Sequence, residues 1–361
     1  MEKPAGRIHF GEIKIGIVII MSMKRAAITV LVLIVFLIVS AAVSAGIFFY
    51  LNNPPDDFLQ PVHFEIKSGE TLERIARNLQ EKGIIRSSLL LRGIGRIKNT
   101  AAHFQKGVYL VPPGLSALEV HDYFLSGRQV LVNITIPEGW TIRKIAGKME
   151  DSGITPAEEF IKAAENNDVL SQFNIAGDSA EGFLYPDTYR FPYDYPAEYV
   201  VRHMITRFYE KLEVIFPDYV NMEAGELYRR IIMASIVERE YMKPEEAPLI
   251  ASVFYNRIEE RMRLQSCATV VYVITEERGK PHPEKLFNAD LEIDSEFNTY
   301  LHWGLPPAPI ANPGETALRS VFYPADTDYL YFVLKGDGNH HFSKTYSQHN
   351  RAKYYYLKGS G

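Results

Sequence analysis

Residues 26–51 contain no charged side chain. Wound as a helix at about 1.5 Å per residue, that stretch exceeds the roughly 30 Å hydrocarbon core of a bilayer. It therefore predicts a spanning helix with some tilt. Lys24 and Arg25 stand immediately before it, and Lys3, Arg7 and Lys14 lie further upstream. Asn52, Asn53, two prolines, Asp56 and Asp57 follow. Basic residues stay on the cytoplasmic side. Residues 1–25 are thus expected to form a cytoplasmic N-terminus, 26–51 a transmembrane helix and 52–61 a linker, with everything later on the other side. A cleaved signal peptide is the competing reading. Its apolar region would normally be shorter, about 7–15 residues, although Ala42-Val43-Ser44-Ala45 could mimic a cleavage site. Met21 and Met23 are alternative starts to Met1.

The 361 residues leave room for two or three domains after the helix. Net charge is −5, so no basic excess points to nucleic acid as a partner. Cys267 is the single cysteine. One thiol cannot staple its own chain and completes no metal-ligand set, so it is expected as a small buried apolar residue.

A repeat at a constant offset of 70 follows. It pairs Ile66 with Ile136, Gly69 with Gly139, Thr71 with Thr141, Ile75-Ala76 with Ile145-Ala146, and Gly83-Ile84 with Gly153-Ile154. Phe64 and Ile66 alternate as in a half-buried strand. Gly69 supplies a turn. Thr71 can cap a helix whose apolar Leu72, Ile75, Ala76 and Leu79 share one face. Gly83 sits where such a helix stops. Each copy reads as strand, turn, helix and glycine. Between the copies, residues 106–114 read as a strand ending in a Pro-Gly turn, and a helix follows over about 116–125. Gly69-Glu70-Thr71-Leu72-Glu73-Arg74-Ile75-Ala76 resembles the start of a LysM module, a small peptidoglycan-binding unit. A packing unit with no sugar contact explains the pattern equally well. Residues 62–155 are expected to be a LysM-like α+β region.

Residues 181–192 are dense in rings and turns, which suits either a sugar-groove wall or a domain junction, with the junction favoured. Residues 156–215 read as an aromatic and proline-rich connection, and 216–361 as a further domain. Residues 226–241 carry no Pro or Gly. Leu227, Ile231, Ala234 and Glu238 form one stripe on a helix. Glu238 therefore extends a core-facing line, where a carboxylate must be paired, protonated or facing a cleft. An ion pair with Arg239 or Arg257 would satisfy it. So would a general-acid role, because desolvation raises a carboxyl pKa. Glu240 points elsewhere on the same helix, and periodicity alone does not exclude it.

Further motifs follow in order. They are Val253-Phe254-Tyr255-Asn256-Arg257, Met262-Arg263-Leu264-Gln265-Ser266, Asn298-Thr299-Tyr300, residues 304–314, Tyr329-Leu330-Tyr331-Phe332-Val333, Gly338-Asn339-His340-His341-Phe342-Ser343 and His349-Asn350. With Ala234-Ser235-Ile236-Val237-Glu238-Arg239-Glu240 they resemble the endolytic murein transglycosylase family of YceG-like proteins. The resemblance runs from the membrane helix to about residue 356. It implies an α+β architecture: one N-terminal transmembrane helix, a LysM-like α+β subdomain, then a mixed α/β catalytic domain. It also implies a single-pass protein of the cell inner (cytoplasmic) membrane with its catalytic part on the periplasmic, extracytoplasmic side.

The activity so implied is cleavage of the MurNAc-β-1,4-GlcNAc bond within peptidoglycan glycan strands. It leaves 1,6-anhydro ends and terminates nascent strands, with peptidoglycan synthases as candidate partners. Glu238 becomes the expected catalytic residue. Gln265, Ser266, Asn298, Thr299, Tyr300, Asn312 and His340 become the expected substrate-binding residues, and residues 306–313 a rigid rim. No metal or organic cofactor is expected, since His340, His341 and His349 lack metal-site spacing. Three departures stand out. Cys267-Ala268 replaces the family's usual Asp-Pro, Val273-Ile274 follows Tyr272 where a glycine is common, and residues 294–300 deviate from the pattern "DSPYNTY". Two rivals remain: a non-enzymatic peptidoglycan-binding scaffold, and a hydrolytic muramidase needing a second carboxylate such as Glu240 or Asp294.

Overall fold

The computed structural model describes residues 9–358 apart from Ser68 and Ala101. Met1, Lys3 and Arg7, and the side chains of Lys14 and Met21, lie outside the described residues. The chain divides into two compact units, Met1–Val130 and Leu131–Gly361.

The first unit begins with α1 (His9–Asn52). Within its Met23–Asn52 portion the most apolar 18-residue window has a mean hydropathy of 3.0, and none of that window is buried. A core helix of a soluble protein with that composition would be covered. This one is long and apolar enough to cross a membrane, as an anchor or a signal sequence. After it come β1 (Val62–Ile66), α2 (Leu72–Glu81), α3 (Ser88–Ile97), β2 (Gly107–Val111) and α4 (Ala117–Leu125). β1 and β2 pair antiparallel, with Phe64 opposite Tyr109. Phe64, Ile75, Leu79, Ile84, Leu91, Tyr109 and Phe124 close the core. Thr71 caps α2 by accepting from the Arg74 amide at 3.4 Å. Gly83 ends it at φ +68°, a left-handed conformation that costs glycine nothing.

The second unit contains β3 (Leu131–Thr135), α5 (Ile142–Asp151), α6 (Ala157–Ala164), α7 (Asn167–Gln172), β4 (Thr188–Pro192), α8 (Ala197–Ile215) and α9 (Ala224–Glu238). It continues with α10 (Ala247–Glu259), α11 (Cys267–Tyr272), α12 (Glu315–Phe322), β5 (Tyr331–Leu334), β6 (His340–Ser343) and α13 (Tyr346–Lys353). Its described strands make two antiparallel pairs, β3 with β4 and β5 with β6. The α+β expectation holds for the chain as a mixture of helices and strand pairs.

Both repeat copies fold as strand, turn, helix and glycine, but they serve different cores. β1 pairs within the first unit. β3 pairs with β4, in the ring-dense stretch near residue 190. The compact units therefore divide the expected 62–155 region at residue 130. Residues 156–215 are no connection either. α6 and α8 pack together, and Phe183, Leu184, Tyr189, Phe191 and Phe208 share one core with Ile231 and Val237 of α9. The ring-dense segment is interior, neither an exposed groove wall nor a junction.

In α9, residues 231–237 are apolar nearly all round and all buried. α10 and α12 pack against it. Gly182 makes that packing possible. It sits at φ +87°, and a Cβ there would meet Ile231 Cγ2 and Pro309 at 2.8 Å. A Gly182→Ala substitution combines a disfavoured backbone with overpacking. It should cost about 2–4 kcal/mol, read as a lowered denaturant midpoint in detergent. A midpoint within about 0.5 kcal/mol of wild type would reject this account of the α9 contact.

Candidate active site

α9 stops at Glu238, and the next residues turn away from the helix. The Glu240 amide donates to the Val237 carbonyl at 3.0 Å and the Tyr241 amide to the same oxygen at 3.3 Å. Positions 238, 239 and 240 then fasten to three different segments.

Glu238 is half-buried. One of its oxygens accepts from the Gly314 amide at 3.0 Å, and the Tyr241 hydroxyl lies 3.3 Å from both. Burial pushes its pKa up to about 7. The Gly314 amide opposes that rise and the Glu138 charge adds to it. Neither expected ion pair is what holds it. Arg239 donates to the Gly139 carbonyl at 3.0 Å. Arg257 gives its hydrogens to the Leu330 and Leu264 carbonyls, each at 2.7 Å.

Glu240 accepts from the Ser266 hydroxyl and the Ala268 amide. Burial raises its pKa above the ordinary carboxyl range. It lines a cavity of about 430 Å³ together with Arg257, Gln265, Tyr300, His349 and Lys353. That volume lies within the range of small-ligand sites. Glu238 is not among the cavity's lining residues.

The expected substrate residues separate into two groups. Gln265 and Tyr300 reach the cavity. Gln265 is exposed and sits at φ +52°. That conformation is uncommon for a non-glycine residue and recurs at functional sites. The other five are buried. Ser266 spends its hydroxyl on Glu240. Thr299 accepts from the Ser266 amide at 3.1 Å and shares a bond with the Thr269 hydroxyl at 3.0 Å. Asn298 donates to the Leu291 and Ile293 carbonyls and accepts from the Tyr300 amide. Asn312 donates to the Trp140 carbonyl and Glu181 and accepts from the Leu184 amide. His340 is tied to Glu246 through its ring nitrogen at 2.7 Å and its amide. These side chains are committed to partners within the protein and position their neighbours, whereas Gln265 and Tyr300 line the cavity.

Two further expectations change. Most of residues 306–313 is buried against α9, where the Ile310 amide donates to the Ser235 hydroxyl at 2.9 Å. It is an interior strut more than a rim. Cys267 is exposed and lines the cavity, its sulfur 3.1 Å from the Tyr300 hydroxyl. A residue opening α11 at a cavity wall need not be interior, whatever its type.

Glu181 escaped notice in the sequence. It is 5% exposed. Its carboxyl accepts from the Ile142 amide at 3.0 Å and from Asn312 at 2.7 Å. A lone carboxyl at the head of an apolar, ring-dense run was the available signal. Asn312 is also held by backbone bonds, its amide to Trp140 and its carbonyl from Gly139, both at 2.9 Å. The clamp thus fixes the strut whose Gly314 amide reaches Glu238. Burial pushes Glu181 up to about 8.

A carboxyl whose folded pKa exceeds its unfolded value binds more protons in the native state. Its stabilising share is complete below the ordinary value of 4.5. The share is lost as pH climbs through about 7 for Glu238 and about 8 for Glu181. Denaturant midpoints measured from roughly pH 5 to pH 9 should therefore fall with rising pH. Glu181→Gln should flatten the fall by up to about 1 kcal/mol per pH unit. An unchanged slope in that variant would remove Glu181 as its source.

The YceG-like family model matches residues 64–354. The endolytic murein transglycosylase of Bacillus subtilis is 30% identical over 335 residues, covering 87% of this chain and 91% of that relative. Its counterpart in Streptococcus pneumoniae R6 is 26% identical over 317 residues, covering 79% of this chain and 56% of the relative. A crystal structure of a yceG-like protein from Listeria monocytogenes superposes with a TM-score of 0.54 at 28% identity. It covers 81% of this chain and 99% of that one.

Proposed function

We propose a function from one premise: the chain belongs to the YceG-like family. It is an enzyme, a peptidoglycan lytic transglycosylase, like the relatives named endolytic murein transglycosylase. The finer reading is cleavage of the MurNAc-β-1,4-GlcNAc bond within a strand, leaving a 1,6-anhydro-MurNAc end. We read α1 as the single-pass anchor in the inner membrane, the catalytic unit as extracytoplasmic, and the product as a terminated nascent strand, with synthases as candidate partners.

The carboxyl we assign as acid and base is Glu240. The supporting observation is position: Glu240 lines the cavity beside Gln265 and Tyr300. A general acid must come within hydrogen-bond reach of the oxygen it protonates. The motif resemblance favoured Glu238, and its pKa of about 7 keeps it as the second reading. Glu240 also has a raised pKa, and it lines this cavity whereas Glu238 does not.

The chemistry needs one carboxyl. Protonated Glu240 gives its proton to the glycosidic oxygen as the C1–O bond breaks, and the bonding pair leaves with that oxygen. An oxocarbenium-like centre develops at the muramyl C1. The carboxylate then takes the proton of the sugar's own C6 hydroxyl, whose oxygen bonds to C1. No water is consumed. The Ser266 hydroxyl and the Ala268 amide hold the carboxyl in place through both steps. Among the described lining residues of the cavity, Glu240 is the one carboxylate. A hydrolytic muramidase of the usual kind would require a second nearby. Cys267, where the family usually carries aspartate, supplies none.

Glu240→Gln should lower turnover of purified glycan strands by roughly 10²–10⁴-fold. Glu238→Gln should stay within about tenfold of wild type. Mass spectrometry should find products one water lighter than hydrolysis gives. The opposite ranking of the two variants would return the acid to Glu238. A product carrying the extra water would favour the muramidase, and bound sacculi without products a scaffold.

A further inference from the structure

We propose that His349 is a substrate-contacting residue of this cavity, binding a hydroxyl of the glycan through its Nδ1 atom. The inference rests on the reading that the cavity takes glycan, and it adds a recognition residue to that reading.

The observation is an unpaired atom. His349 Nδ1 is buried and has no hydrogen-bond partner among the described residues. Protein interiors rarely keep such an atom, because desolvation without a partner is costly. The ring itself is firmly held. It stacks on Tyr331 with centroids 5.2 Å apart and planes 24° from parallel. The Arg257 guanidinium lies 5.2 Å from the same Tyr331 ring. His349 rides on α13, whose start is closed by reciprocal bonds between Thr345 and Gln348, and α13 packs on β5 and β6. A flexible side chain could turn its polar atom toward solvent, but this one is fixed beside the cavity that Glu240 lines.

The surroundings indicate what the atom can bind. Burial, then Lys353, Arg257 and His341, depress the imidazole pKa below its ordinary value. The ring is therefore neutral at neutral pH, with one nitrogen donating and the other accepting. A sugar hydroxyl both donates and accepts, so it pairs with Nδ1 in either tautomer. Each tautomer matches only one half of an ion pair, whereas a glycan offers hydroxyls throughout.

This role separates binding from stability. Replacing His349 with Phe keeps the stacking ring on Tyr331 and removes the unpaired atom. On purified glycan strands, His349→Phe should lower kcat/KM by about tenfold, mainly through KM. Its melting temperature should equal or exceed that of wild type. His349→Asn, whose amide nitrogen lies near the position of Nδ1, should recover part of the loss. His349→Leu provides a second apolar variant should Phe overpack. Unchanged kcat/KM in a folded Phe or Leu variant overturns the proposal. So does a loss of activity that follows a falling melting temperature in both, since that marks a structural histidine. Gln265→Ala and Tyr300→Phe, assayed alongside, identify the level of any failure. If they raise KM and His349→Phe does not, only the role of His349 fails. If all three leave KM unchanged, the glycan reading of the cavity fails with it.

Discussion

The end of a helix whose last two turns are buried is where this catalytic unit is held together. Residues 231–237 of α9 are all buried, so the polar groups that follow them must find partners inside the protein. Glu238 takes the Gly314 amide, Arg239 the Gly139 carbonyl and Glu240 the Ser266 hydroxyl. Three segments distant in sequence converge on three consecutive positions. The motifs spread from Gly139 to Gly314 become one site because they share this helix end.

The same arrangement explains why two glutamates, two residues apart, have different opportunities. Both are desolvated, and both pKa values rise. Burial alone therefore does not choose between them. The turn after Glu238 does, because it places Glu240 on the side where Gln265 and Tyr300 leave open space. Glu238 faces the strut that Asn312 and Glu181 clamp in place. A proton donor needs both a raised pKa and access to its acceptor. On this criterion the second glutamate is better placed, while the first braces the helix end on which it stands.

Much of the fold was legible from local pattern. The strand, turn, helix and glycine of each repeat copy follow from alternation, caps and left-handed glycines, all set by near neighbours. Strand pairing was not legible. β1 and β3 look alike in sequence, yet their partners are chosen by distant cores, which puts the copies in different units. The helix bearing Glu238 was evident from its apolar run, but its end was not. No Gly or Pro stands between Glu238 and Pro244, so nothing in the letters stops the helix there. Continuing the period through Tyr241 gave Glu240 the wrong direction. The internal partners of the short polar residues were not legible for another reason. Asn, Ser and Thr serve a backbone as readily as a sugar. Asn298, Asn312, Thr299 and Ser266 proved to be internal fasteners, whereas Gln265 is strained outward into the cavity.

Cys267 ties these points to the chemistry. It lies at the cavity wall beside Tyr300. A thiol there, its pKa raised chiefly by burial, remains neutral where a carboxylate would be charged. It adds no negative group to the surroundings of Glu240, which is the single carboxyl among the described lining residues. A hydrolytic route requires a base to activate water on the far side of the sugar. An intramolecular route uses the C6 hydroxyl that the substrate itself brings, and one correctly placed carboxyl serves both halves of it. On the proposed assignment of Glu240, the cavity's single carboxylate fits the cyclising reaction better than hydrolysis: the groups that can reach the bond decide the chemistry.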